Sequence, residues 1–171
     1  MFIDTTKIPT HTLTLATFSQ ACDIITYMKK HKISSYVYSF KLHDTIMKYG
    51  VQYDLAKGSY GERIYRQSFH IPGWPKQASP RSAGNDMLDI IVNFPEIHRN
   101  DISIQVWDMT SYPRVSSLNH KFEVNQLERQ LIKKHIDLTG HRPIGNIKDE
   151  RHMDNKAVVP EAHFQNLFEV S

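Results

Sequence analysis

Cysteine is nearly absent: Cys22 stands alone among 171 residues. A single thiol excludes a disulfide within the chain and a four-cysteine zinc site, and it suits a reducing interior. Long apolar runs are missing too. No stretch approaches the roughly 18 consecutive apolar residues of a membrane span, and the opening MFIDTTKIPT has no basic segment followed by an apolar one. These absences predict a cytoplasmic protein with no membrane partner. A strong charge imbalance is also lacking. Lys and Arg total 21 against 18 Asp and Glu, a net charge of +3, which permits a polyanionic partner without demanding one. There is no internal repeat and no low-complexity tract.

What is present is ordinary globular material. Hydrophobic residues make up 40% and charged residues 23% of the chain, enough for one domain with a real core. The spacing of Leu13, Phe18, Ala21, Ile25 and Met28 predicts a helix over Leu13–Lys32. Its basic end, KKHK, suits the negative pole of the helix dipole. In ISSYVYSFKL the aromatics Tyr36, Tyr38 and Phe40 alternate with Val37 and Ser39, predicting a strand with its rings on one face. His43 and Asp44 make a turn, and TIMKYGVQYDL completes a hairpin, broken near Gly50. A helix begins after Gly61 and is ended by Pro72, Gly73 and Pro75.

The segment KQASPRSAGN has a loop's composition. Beyond it, Met87, Ile90, Ile91 and Phe94 mark a helix with Asn85 as N-cap. DISIQVWDM alternates as a third strand, and a periodic helix over Phe122–Leu138 closes at Gly140. HRPIGN is irregular, KDERHMDNK solvated, and AHFQNLFEV a short terminal helix. The order predicts an α+β domain: a small, mostly antiparallel three-stranded sheet flanked by helices, with an N-terminal helical extension over 1–33 and a tail over 148–171.

Two helical faces carry chemistry. In SYGERIYRQSFHIPGW, Arg63, Arg66, Gln67 and His70 share one side of a helix whose other side presents Ile64, Tyr65 and Phe69. Donors aimed one way make an anion site, and a phosphodiester is the obvious anion. Taken singly, the arginines are solvated charges and His70 a core histidine. In the later helix Glu128 borders the apolar stripe of Val124, Leu127, Leu131, Ile132 and Ile136. A carboxylate there is paired with an Arg or Lys, bound to a cation, or left at a wet rim. Tyr36 and Tyr38 are core aromatics, or one of them is a phenol able to hydrogen-bond or deprotonate an attacking water. The histidine pairs His31 with His43 and His135 with His141 lack a helical ligand spacing.

The series YVYSF, KYG, GERIYRQSFH, LERQLI and PIGN, in that order and on those elements, resembles the GIY-YIG nuclease family over about Ser34 to Ile147. The resemblance implies a divalent-metal-dependent DNA endonuclease, with Tyr38 as the tyrosine of the first motif and Gly50 as the glycine of the second. Arg63 would be the helix arginine, Glu128 the ligand for Mg²⁺ or Mn²⁺, and His70 a histidine following the arginine. Asn146 would be the closing asparagine that orients the site through hydrogen bonds. Tyr36 stands where the family name has glycine, and Lys48 where it has tyrosine, so a cation there would steady the nucleophile or a phosphate oxygen. Tyr49 and Tyr60 are the substitutes available for that phenol. Arg66, Gln67, Lys76, Arg81 and Asn146 would line the path of double-stranded DNA. Restriction, homing and phage-type enzymes share such a core, and concerted cutting of both strands would require a homodimer. The rival readings are a non-catalytic nucleic-acid-binding module on the same scaffold and a protein-interaction module whose tyrosines and arginines anchor an interface.

Overall fold

The computed structural model describes residues 8–53, 60–75, 86–110 and 117–146. Lys57, Gly58, Lys76, Arg81, Asn85 and the expected terminal helix lie outside them. The chain is α+β, built on one antiparallel sheet of four strands. In chain order these are β1 (His11–Thr14), β2 (Tyr36–Leu42), β3 (Thr45–Gln52) and β4 (Ile102–Asp108). Across the sheet they run β1-β4-β2-β3. The helices are α1 (Asp23–Lys30), α2 (Glu62–Ser68), α3 (Asp86–Asn93) and α4 (Ser117–Thr139).

The fourth strand corrects the expectation of three. Leu13 does not begin a helix: β1 pairs with β4, setting Leu13 opposite Ile104, and a single 3₁₀ turn over Leu15–Thr17 leads toward α1. Helical spacing of Leu13, Phe18 and Ala21 coexists with a local alternation in which Leu13 is buried between exposed Thr12 and Thr14. Pairing to β4 favours the alternation, because tertiary contacts override local preference. The helix proper starts at Asp23 and buries Ile24 and Met28.

The hairpin forms as expected, with His43 in the left-handed region at φ 53°. Gly50, however, does not break β3. It pairs directly with Tyr38, and the irregularity lies earlier, where the register shifts between Phe40 and Lys41. Phe40 faces Lys48 and Lys41 faces Ile46, so Met47 is the extra residue of a bulge.

Period-two alternation sorts the sheet into two faces. Tyr36, Tyr38 and Phe40 share a core with Ile104, Val106, Ile24, Met28, Ile64, Met87 and Ile90, so α1, α2 and α3 cover this face. Val37, Tyr49 and Trp107 pack on the other against Val124, Leu127, Leu131 and Ile132 of α4. That helix starts five residues before the expected Phe122, which is itself 56% exposed. Gly140 closes it as expected at φ 84°, donating its N–H to the Ile136 carbonyl at 2.7 Å.

Candidate active site at the β3 edge

Strand β3 is an outer strand, and its alternation decides what each face receives. Lys48, Gly50 and Gln52 stand opposite Phe40, Tyr38 and Tyr36 on the aromatic face, while Tyr49 and Val51 join the α4 core. The Tyr38 ring lies over Gly50: a Cβ at residue 50 would fall 2.7 Å from Tyr38 Cε1 and closer still to its Cζ and hydroxyl. Only glycine leaves that ring its place. Lys48 holds its ammonium 6.0 Å from the same ring centroid. Both residues are enclosed, Tyr38 at 2% and Lys48 at 4% exposure. Gly145 sets the position of Lys48 in the same way, since a Cβ there would meet Lys48 Cβ at 2.6 Å.

An outer strand leaves alternate backbone groups unanswered by the sheet. At Tyr49 a side chain answers them. Asn146 Oδ1 accepts the Tyr49 N–H at 2.7 Å, and Asn146 Nδ2 donates to the Tyr49 carbonyl at 2.9 Å. The carboxamide imitates one residue of a neighbouring strand and pins the PIGN segment to β3.

Arg63 enters from α2, whose N-cap Gly61 is left-handed at φ 68° and offers no side-chain acceptor. Gln52 supplies one from β3. Its Oε1 accepts the backbone N–H of Arg63 at 3.1 Å and the hydroxyl of buried Tyr36 at 2.6 Å. One carbonyl oxygen thus satisfies an orphan donor of the helix start and a buried phenol together. This bond fixes where the exposed Arg63 side chain departs.

The rest of the supposed donor face is differently employed. Arg66 pairs with Glu62 one turn earlier, so the face carries both signs of charge. Gln67 Oε1 accepts the Met87 N–H at 3.0 Å and caps α3. His70 lies past the end of α2, which stops at Ser68, short of the expected Pro72. It is half-buried with its ring edge-on to Phe69 at 5.5 Å.

Glu128, 7% exposed, projects from α4. Tyr38 and the Glu128 helix therefore lie on opposite faces of the sheet. The carboxylate acts instead on Tyr53, the residue after β3. Burial first, and then the Glu128 carboxylate, push its phenol up to about 12, while its hydrogen bond to Asn125 and the Arg63 guanidinium pull the other way. Tyr53 donates to Asn125 Oδ1, one turn before Glu128 on α4, and Lys121 Nζ lies 5.6 Å from its ring centroid. A phenol so raised stays protonated at neutral pH and serves as a donor. Tyr36 is also raised well above the ordinary phenol value, by burial and then by Tyr38, with a hydrogen bond to the Ile64 backbone and Arg63 opposing.

No family model, curated protein or solved structure matches the chain. The site is thus known by its own geometry. Among the described residues no three His, Cys, Asp or Glu side chains gather as a metal-binding group. No described helix is long and apolar enough to cross a membrane.

Sequence reasoning missed Gln52, Tyr53 and Gly145. Tyr53 follows the last residue of β3 and belongs to no motif, so only the packing of α4 against that strand discloses its neighbours. For Gln52 a faint signal existed, because a glycine N-cap without an acceptor asks for one from elsewhere.

Proposed function

We propose that the chain is a divalent-metal-dependent DNA endonuclease with a GIY-YIG-like site at the β3 edge. The observation that carries the reading is the Tyr38 ring seated on Gly50 with Lys48 Nζ 6.0 Å from it, on the strand whose Gln52 anchors the backbone of Arg63. Arg63 from α2 and Glu128 from α4 act on the same phenol although their helices cover opposite faces of the sheet. A guanidinium and a carboxylate around one rim suit a phosphodiester held by the first and a cation held by the second. The layout supports the finer fold assignment as well: a hairpin, a third strand beside its first, helices bearing Arg63 on one face, and the Glu128 helix on the other. Strand β1 is an addition to that core.

A carboxylate fits a hard cation such as Mg²⁺ or Mn²⁺, which keeps most of its waters and uses few protein oxygens. Bound at Glu128, the cation would neutralise charge on the scissile phosphate and on the leaving oxygen. The chain's own groups do the remainder. Arg63 donates to the phosphate as negative charge accumulates, from a backbone anchored in advance by Gln52. Tyr38 lies over Gly50 with Lys48 Nζ 6.0 Å from its ring; as a phenol it would orient the attacking water by a hydrogen bond, and as a phenolate steadied by the ammonium it would accept the water's proton. His70 would assist from the end of α2, and Tyr53 offers a further donor.

A second reading has its own observation. Tyr38 and Lys48 are 2% and 4% exposed, and so enclosed a pair favours a nucleic-acid-binding module without cleavage. Plasmid nicking in Mg²⁺ decides between them. Arg63→Ala and Glu128→Ala should each lower the rate by about 10²- to 10³-fold, as loss of one transition-state donor does, with circular dichroism unchanged. A folded variant that nicks as fast as the parent ends the endonuclease reading. Duplex binding by a parent that never cuts installs the second.

A further inference from the structure

Helix α1 ends on a cationic cluster that the proposed site does not use. Lys29, Lys30, His31 and Lys32 are all exposed. The helix stops by a Schellman motif, with the Ile33 N–H bonded to the Met28 carbonyl at 2.9 Å and the Lys32 N–H to the Lys29 carbonyl at 3.1 Å. The residue in the left-handed position is Lys32, at φ 56°. Glycine is the residue that this position favours, and a side chain there costs about 1 kcal/mol or more.

Rings brace the same end. His31 lies against Tyr27 at 4.3 Å between centroids, and His11 of β1 meets His31 at 5.4 Å. The cluster's place in the fold also matters. Met28 packs on the start of α2, where a Cβ on Gly61 would come within 2.7 Å of Met28 Cγ. The cationic end of α1 therefore adjoins the first turn of α2, which bears exposed Arg63. Among the described residues Lys29, Lys30 and Lys32 take part in no ion pair.

We propose that Lys29, Lys30, His31 and Lys32 form a phosphate-binding rim that holds the backbone of duplex DNA beside Arg63. The proposal rests on the endonuclease reading for its partner but uses none of that site's residues. Each ammonium displaces a counterion from the duplex, so the rim supplies affinity that does not depend on sequence and weakens with salt. Braced on Tyr27 and His11, it would lose little freedom on binding.

The test measures binding of a labelled DNA duplex by the full chain in EDTA, over a range of NaCl concentrations. Replacing all three lysines with serine should flatten the plot of log K against log salt by about 2.7, or about 0.9 for each phosphate contact. Lys32→Gly serves as the variant certain to suit its backbone: it should raise the melting temperature and still remove about 0.9 from the slope. Lys133→Ser with Lys134→Ser, exposed on α4, should leave the slope unchanged. A parental slope in the triple variant overturns the rim, and so does an equal loss in the α4 control. The two readings can fail separately. A parent that nicks plasmid while the triple variant keeps the parental slope loses the rim alone. A parent that never cuts but shows the predicted slope losses keeps the rim and loses the nuclease. Absence of any duplex binding removes both.

Discussion

The two outer strands of the sheet are finished in opposite ways. At the β1 edge the ties are short and local to one strand pair. The Thr10 N–H and hydroxyl both donate to the Val106 carbonyl, at 2.8 and 3.0 Å, and the same hydroxyl accepts the Asp108 N–H at 2.9 Å. Just beyond, Arg99 donates to the Leu15 and Phe18 carbonyls and rests on Trp74, holding the chain as it leaves the strand. At the β3 edge the ties are buried polar side chains: Asn146 reaches in to Tyr49, and Gln52 of the strand itself holds Tyr36 and Arg63. Buried polar networks gain little net stability and cost heavily when one member is lost. A chain concentrates them where position matters more than stability. The contrast suits β1 as scaffold and β3 as the proposed site.

The largest effect should come from forcing a side chain into the β3 edge. Gly50→Ala puts a methyl group where the Tyr38 ring lies, so either the ring turns away or the strand shifts. Displacement of a reacting group by about 1 Å costs on the order of 10²-fold in rate. Nicking should fall by about that much, while overpacking destabilises the fold by roughly 1–3 kcal/mol. Thr12→Ala, exposed at the middle of β1, should leave both unchanged. Plasmid nicking with a urea titration of the same preparations measures the pair. Equal losses at the two edges would erase the distinction drawn between them.

A smaller effect separates the two kinds of hydrogen bond. Asn146→Ala leaves the Tyr49 N–H and carbonyl without their carboxamide partner in a buried place, and each such group costs about 1–3 kcal/mol. A loss of about 2–6 kcal/mol is therefore expected. Thr10→Ala removes bonds from an exposed residue and should cost about 1 kcal/mol. Urea midpoints at constant m-value measure both. If Thr10→Ala proves the more damaging, the β1 edge is the one under tension.

Much of this was legible in the sequence, and the remainder has physical reasons for hiding. The alternation of Tyr36, Tyr38 and Phe40 found β2 and its aromatic face, and the turn at His43 fixed the hairpin. Apolar spacing found α4 and placed Glu128 at its core margin. Strand β1 escaped because four residues carry too little periodicity to outweigh the helical spacing beyond them, and because its partner β4 lies far along the chain. The donor face of α2 was overread. One carboxylate four residues before Arg66 and one backbone N–H on α3 claim two of its members; the first is an i,i+4 pair that helical spacing announces, whereas the second depends on how α3 packs. Tyr53 was silent for the opposite reason, since its importance comes wholly from the helices that close around it.

The smallest expected effect concerns protons. Burial pushes the Tyr49 phenol up to about 12, and Tyr53 reaches the same range. Beside the β1 edge, burial raises Tyr27 as well. Below the ordinary phenol value of about 10 both folded and unfolded chains keep these protons, and stability is unaffected. Between there and about 12 the unfolded chain releases a proton from Tyr49 that the folded chain retains, so stability falls with rising pH by up to about 1.4 kcal/mol per unit for that group. Tyr49→Phe should flatten the decline between about pH 9 and about pH 11, and Tyr27→Phe should flatten it less. Urea midpoints at the two pH values give the slopes. A steeper dependence on Tyr27 than on Tyr49 would mean that the better-sealed phenols belong to the β1 edge, and the division between scaffold and site would have to be redrawn.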